Sequence, residues 1–161
     1  MKIYTIGHSN HDFTRFVSLL MGARIELLVD VRSRPYSRYV PHFNKNRIAA
    51  SLEAEGVKYL YMGDRLGGRT DSGEEGKPVA FYKISQREGF HAGIEELMKT
   101  AGEKRVAIMC AEKDPDRCHR KHLISRELKR RGVDVVHILS DSTTVADDGQ
   151  SPPGLFKKIF E

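Results

Sequence analysis

The sequence predicts a single α/β domain: a mostly parallel five-stranded sheet with helices on both faces, doubly wound and Rossmann-like. Three observations predict it. Four times the chain passes through an amphipathic helical stretch, a glycine and an apolar strand-like stretch. The strand-like stretches, such as Leu27-Leu28-Val29 and Val106-Ala107-Ile108-Met109, are continuously apolar, as strands covered on both faces are. At 161 residues and 39% hydrophobic, the chain has the size and apolar content of one domain with one core.

Taken in order, residues 2–6 read as the first strand. Residues 10–21 read as a helix, because Phe13, Phe16, Val17 and Leu20 recur at i, i+3, i+4 and i+7. Ser9 followed by Asp12 reads as its capping box. Gly22 then leads to a strand over 25–31. A helix over 44–55 ends at Gly56 before a strand over 57–61. Residues 63–79 hold Gly63, Gly67, Gly68, Gly73 and Gly76, and read either as a flexible lid or as a plain surface loop. A helix over 87–101, with Phe90, Ile94, Leu97, Met98 and Ala101 on one face, ends at Gly102 before a strand over 106–110. The last helix, 116–131, takes Asp114 and Pro115 as N-cap and first residue, and ends at Gly132 before a strand over 133–139. Each of the four glycines is expected in a left-handed C′ position. Residues 141–161 read as a C-terminal tail, whose amphipathic run at 155–160 suits packing on the core or on a partner.

Composition narrows the setting. No apolar run approaches the ~20 residues that span a bilayer, so no membrane is expected. Met1-Lys2 leads straight into a strand, unlike a signal peptide, and a cytoplasmic location is expected. Two cysteines are too few for a disulfide framework. A net charge of +5 favours anionic partners and also serves solubility.

In an open parallel sheet, ligands bind beyond the carboxyl ends of the strands. Polar residues gather there: Gly7 to Asn10 after the first strand, Asp30 to Ser33 at the end of the second, Cys110 to Glu112 after the fourth. His8 and Ser9 are expected to open the first helix, with Ser9 as cap and His8 as a catalytic candidate. Asp30 lies in an otherwise apolar strand and needs a partner. It is read either as ion-paired to Arg32 or Arg120, or as a general base or an orienter of His8. Residues 31–52 contain no acid, and interleave Arg32, Arg34, Arg38, Lys45 and Arg47 with Tyr36, Tyr39, His42 and Phe43. Guanidinium forks suit phosphates and aromatic faces stack on bases. Helical phase puts Arg120 on the face of Ile124 and Leu128, as a grip for an anion with Arg117 beside it, and points His119 away as a surface or cap residue. Cys118, in a helix's first turn beside Arg117, His119 and Arg120, is the candidate nucleophile. Cys110 reads as a buried apolar residue. Seven residues separate the two cysteines, unlike a paired zinc knuckle, and no metal is expected.

Thr5-Ile6-Gly7-His8-Ser9, Leu28-Val29-Asp30-Val31-Arg32-Ser33, Leu66-Gly67-Gly68-Arg69 and Cys110-Ala111-Glu112 through Cys118-His119-Arg120 together resemble the domain-of-unknown-function 488 family. The motifs occur in the family's order over most of the chain. The resemblance implies a single α/β domain in which His8, Asp30, Arg32, Cys110, Glu112, Cys118, His119 and Arg120 belong together; it supplies no activity. The residues favour an enzyme, a hydrolase or group transferase acting on a phosphate-bearing substrate such as a nucleotide or nucleic acid. His8, Asp30, Glu112 and Cys118 are its candidate catalytic groups, and Arg32, Arg38, Arg117 and Arg120 its candidate substrate-binding groups, lining one cleft. A non-catalytic nucleic-acid-binding module and a cysteine-dependent sulfur transferase are the alternatives.

Overall fold

The computed structural model describes residues 1–150, so the amphipathic run at 155–160 lies outside the described residues. The elements are β1 (Lys2–Gly7), α1 (Phe13–Gly22), β2 (Leu27–Asp30), α2 (Lys45–Ala54), β3 (Lys58–Tyr61), α3 (Gly63–Leu66), α4 (Pro78–Ser85), α5 (Glu88–Glu103), β4 (Val106–Cys110), α6 (Arg126–Arg130), β5 (Asp134–Ile138) and β6 (Thr144–Ala146). They form one sheet in the order β3-β2-β4-β1-β5-β6. The first five strands are parallel, and β6 adds an antiparallel edge on β5. The α/β architecture is the expected one, but among the described residues the sheet has six strands rather than five. The sixth falls in the stretch read as tail; its three residues are all exposed and carry no apolar run to signal a strand.

Alternation along the strands builds two cores. Ile3, Leu27, Val29, Val106, Ile108 and Val135 face a layer that includes Leu66, Phe81, Phe90, Ile94 and Ile124. Tyr4, Ile6, Leu28, Ala107 and Met109 face Phe16, Leu20, Ile48 and Leu52. Thus α1 and α2 cover one face, while α3, α4, α5 and the 120–130 segment cover the other. Among the described residues, no helix is long and apolar enough to cross a membrane.

Local departures from the expected elements have identifiable causes. The cap of α1 is Asp12, whose side chain accepts from the Arg15 N–H, and the helix starts three residues later than expected; Ser9 instead takes a left-handed φ of 48°. Gly56 and Gly132 take the left-handed C′ conformation, but Gly22 and Gly102 lie inside their helices. Arg24 makes the left-handed turn after α1. The segment read as one helix over 116–131 is broken into a 3₁₀ turn at Pro115–Arg117, a π turn at Arg120–Ser125 and the short α6. Asp114 caps the 3₁₀ turn through the Asp116 N–H. Residues 63–79 carry more order than their glycines suggest: α3, a turn in which Thr70 N–H donates to the Glu74 carbonyl at 2.8 Å, and the start of α4 at Pro78.

Candidate active site

The carboxyl ends of β2, β4 and β1 lie side by side, and the chain leaving them divides into two sets of polar residues on opposite faces of the sheet. Asp30 alternates with Leu28 and so faces the α1–α2 side. Its carboxylate accepts from the Arg32 backbone N–H, from Arg32 Nε (2.9 Å) and Nη2 (2.7 Å), and from the Tyr59 hydroxyl (2.5 Å). Arg32 also donates to the Phe43 carbonyl and, through Nη1, to His8 Nε2. His8 Nδ1 donates to the Ser9 carbonyl, and its ring stacks on Phe43 at 4.6 Å. Burial holds the His8 imidazole down to about 4, so it is neutral at pH 7. Burial and the neighbouring Asp30 carboxylate raise the Tyr59 hydroxyl, which stays protonated and donating. Asp30 is fully buried and Arg32 almost so. The set is a clamp tying β1, β2, β3 and the Pro41–Phe43 turn together, with no solvent-facing edge on Asp30 for a general base to use.

The second set is on the other face. Cys110, the last residue of β4, alternates with Ile108, and Cys118 belongs to the same core. Between them the chain loops out through exposed Glu112, Lys113 and Asp114 and returns at Pro115. His119 closes the set. Its Nε2 is 3.0 Å from the Val31 carbonyl, to which it donates. In the neutral ring its Nδ1 then presents a lone pair, and lies 3.5 Å from Cys110 Sγ and 3.8 Å from Cys118 Sγ. The three donor atoms are within 4.8 Å of one another. A hydrogen bond from Cys118, assisted by the Arg120 charge and the Ala111 and Glu112 backbone, brings the Cys110 thiol down to about 7 against the effect of burial. Burial raises Cys118. A cleft of about 230 Å³ opens on the cluster, walled by Gly68, Glu75, Gly76, Glu112 and Arg117.

Arg120 is fully buried and does not reach the cleft with its charge. Nε donates to Thr5 Oγ1, Nη1 to the Glu112 carbonyl (2.5 Å) and Nη2 to the Lys113 carbonyl. Thr5 donates in turn to His137 Nδ1, and His137 Nε2 donates to Asp147 at 2.8 Å. This chain of bonds gives the buried cation a carboxylate at its far end and fixes the loop over 112–113. Gly7 permits the approach, since a Cβ there would meet the Glu112 carbonyl at 1.9 Å.

Several expectations are thereby corrected. The eight motif residues share one sheet edge, but Asp30 and Arg120 point to opposite faces, so they do not line one cleft. Arg32 and Arg120 are committed within the fold rather than free to grip an anion. His119, expected to point away, is the hub of the thiol cluster, because the π turn departs from the 3.6-residue phase on which that expectation rested. Cys118, Glu112 and Arg117 are at the cleft as expected; Arg38 is exposed on the 31–43 segment, over the Tyr39 ring. Cys110, read as a buried apolar residue and grouped with the site only through the resemblance, also lines the cleft, as do Gly68, Glu75 and Gly76, which were not assigned although the glycine-rich stretch at 63–79 was the available signal.

A family described as Domain of unknown function DUF488 matches residues 12–126, more than half of the chain. Neither a curated protein nor a solved structure matches it.

Proposed function

The chain belongs to the DUF488 family, and we propose that it is an enzyme, a hydrolase or group transferase, that acts on a phosphate-bearing substrate with Cys110, Cys118 and His119 as its reacting centre. One observation carries this reading: an imidazole whose Nε2 is spent on Val31 aims Nδ1 at two thiols in an open cleft at the carboxyl edge of the sheet. A purely structural cluster has no need of a cleft. Arg117 at the mouth and the acid-free 31–52 segment, which leaves the same edge with Arg34, Tyr36, Arg38 and Tyr39 exposed, suit a nucleotide or nucleic acid. Free thiols suit a cytoplasmic setting. The test is turnover of phosphomonoesters, phosphodiesters, nucleotides and oligonucleotides by the unaltered chain and by His119→Gln. Activity that falls at least a thousandfold in a folded His119→Gln protein is expected; activity unchanged in that variant would end the reading.

The depressed Cys110 thiol supports a second reading, sulfur transfer through a Cys110 persulfide. The Cys110 thiolate would then attack the outer sulfur of a sulfane donor such as thiosulfate, breaking its S–S bond, keeping that sulfur as the persulfide and releasing sulfite. A chain that takes no sulfur from thiosulfate removes it.

A further inference from the structure

Resting on the reading that the cleft is the reacting centre, we propose that Cys110 Sγ, Cys118 Sγ and His119 Nδ1 are three ligands of one zinc-class divalent cation, with the fourth position open to the cleft. The cysteine spacing argued against a metal, because knuckles pair their ligands within a few residues. Spacing along the chain is the wrong measure here: the 111–117 loop leaves the fold and returns, so the two sulfurs meet through space.

The distances decide the matter. Zinc bonds of about 2.05 Å to nitrogen and about 2.3 Å to sulfur, in a tetrahedron, set N···S edges of about 3.6 Å and S···S edges of about 3.8 Å. The two N···S distances here are 3.5 and 3.8 Å, and all three donors fall within 4.8 Å. A metal at the centre of that face needs little rearrangement. The supporting groups are also those of a metal site. His119 donates its other nitrogen to a backbone carbonyl, which fixes the tautomer and points the free lone pair at the sulfurs. The Arg120 N–H donates to Cys118 Sγ at 3.5 Å, as backbone amides do to metal-bound thiolates. Gly68 backs the imidazole so closely that a Cβ would lie 2.7 Å from His119 Cγ. Two thiols and an imidazole select a soft or borderline cation over calcium or magnesium. Three protein ligands and an open fourth position are the arrangement of a catalytic zinc rather than a structural one. The cleft leaves room at that position for water or a substrate phosphate oxygen, with Arg117 at its wall to offset the anion's charge.

Cobalt(II) is the probe. Metal-free protein is titrated with Co(II), and one equivalent per chain is expected to give thiolate-to-cobalt charge transfer and tetrahedral d–d absorption that zinc then displaces. His119→Ala is expected to weaken Co(II) by at least roughly a hundredfold, and Cys110→Ser with Cys118→Ser to remove the charge-transfer band. A measurement on the unaltered chain avoids any folding defect in the variants: zinc is expected to slow alkylation of both cysteines by iodoacetamide. No charge-transfer band at stoichiometric cobalt, with alkylation equally fast with and without zinc, overturns the site. Phosphate-ester turnover separates the two readings. Turnover that survives chelation but is lost in His119→Gln overturns the metal and leaves the enzyme standing; cobalt binding with no turnover upholds the metal and ends the enzyme reading.

Discussion

Asp30 shows what a buried carboxylate at a strand end is for in this protein. It accepts four hydrogen bonds, three of them from Arg32, in a site with no solvent exposure. Removing the charge leaves the Arg32 guanidinium buried with the Phe43 carbonyl and a neutral His8 for company. Breaking a buried pair from one side costs about 3–5 kcal/mol. Asp30→Asn is therefore expected to lower the unfolding free energy by about 3 kcal/mol, read from the urea midpoint at an unchanged slope. A general base would behave differently, losing turnover with little change in stability. The sequence showed that Asp30 needs a partner and named Arg32 among the choices, because a charge in an apolar strand is a strong signal. It did not show that the same pairing leaves Arg32 unable to grip a substrate. A residue's spare valence depends on neighbours such as Phe43 and Tyr59, which lie far along the chain.

At the scale of elements, the broken segment after β4 makes the site. A continuous helix from 116 would have pointed His119 to solvent. The 3₁₀ turn, the extended Cys118 and the π turn instead place His119 under Gly68 and send Arg120 across to Thr5. Ser125 Oγ donating to the Arg120 carbonyl at 2.6 Å holds the wide turn open. Helical periodicity registers apolar faces, and Ile124 and Leu128 do face the core, so the element was legible while its winding was not. Gly68 gives a test at this scale. Gly68→Ala places a methyl against the root of the imidazole, where no flexible end can yield. The substitution is expected to cut Co(II) affinity and turnover at least roughly tenfold while the fold is kept. Gly89→Ala, which meets nothing within 4 Å in α5, is the control. It is expected to leave both unchanged and to raise stability by about 0.5–1 kcal/mol. Equal behaviour of the two variants would mean that the position of His119 does not matter.

For the whole molecule, topology explains why one edge carries two polar sets. The β1–β2 and β2–β3 crossovers pass over one face and the β3–β4 and β4–β5 crossovers over the other, so the chain leaving β2 and the chain leaving β4 meet at neighbouring strand ends from opposite sides. The Asp30–Arg32 clamp anchors the first, and its continuation over 33–47 is free of acid and exposes Arg34, Tyr36, Arg38, Tyr39 and Arg47. The thiol centre ends the second. His119 joins the two through the Val31 carbonyl, one residue before Arg32. An anionic polymer lying on the exposed segment would thus run toward the cleft. The alternation of helix and strand made the sheet legible; the edge strand β6 and the division of the motif between two faces were not, since both depend on which way short segments turn. The charge argument has a quantitative form. If Arg34 and Arg38 neutralise phosphates, binding of a single-stranded oligonucleotide falls with salt at a slope of about −0.7 per phosphate contact. Arg34→Ala with Arg38→Ala is expected to reduce the slope of log affinity against log salt by about 1.4, measured by fluorescence anisotropy across a salt series. Both side chains are exposed, and among the described residues Arg38 contacts the exposed Tyr39 ring and hydroxyl, so folding stability is expected to be unaffected. An unchanged slope in the double variant would show that the polymer does not lie on this segment, and would confine substrate recognition to the cleft itself.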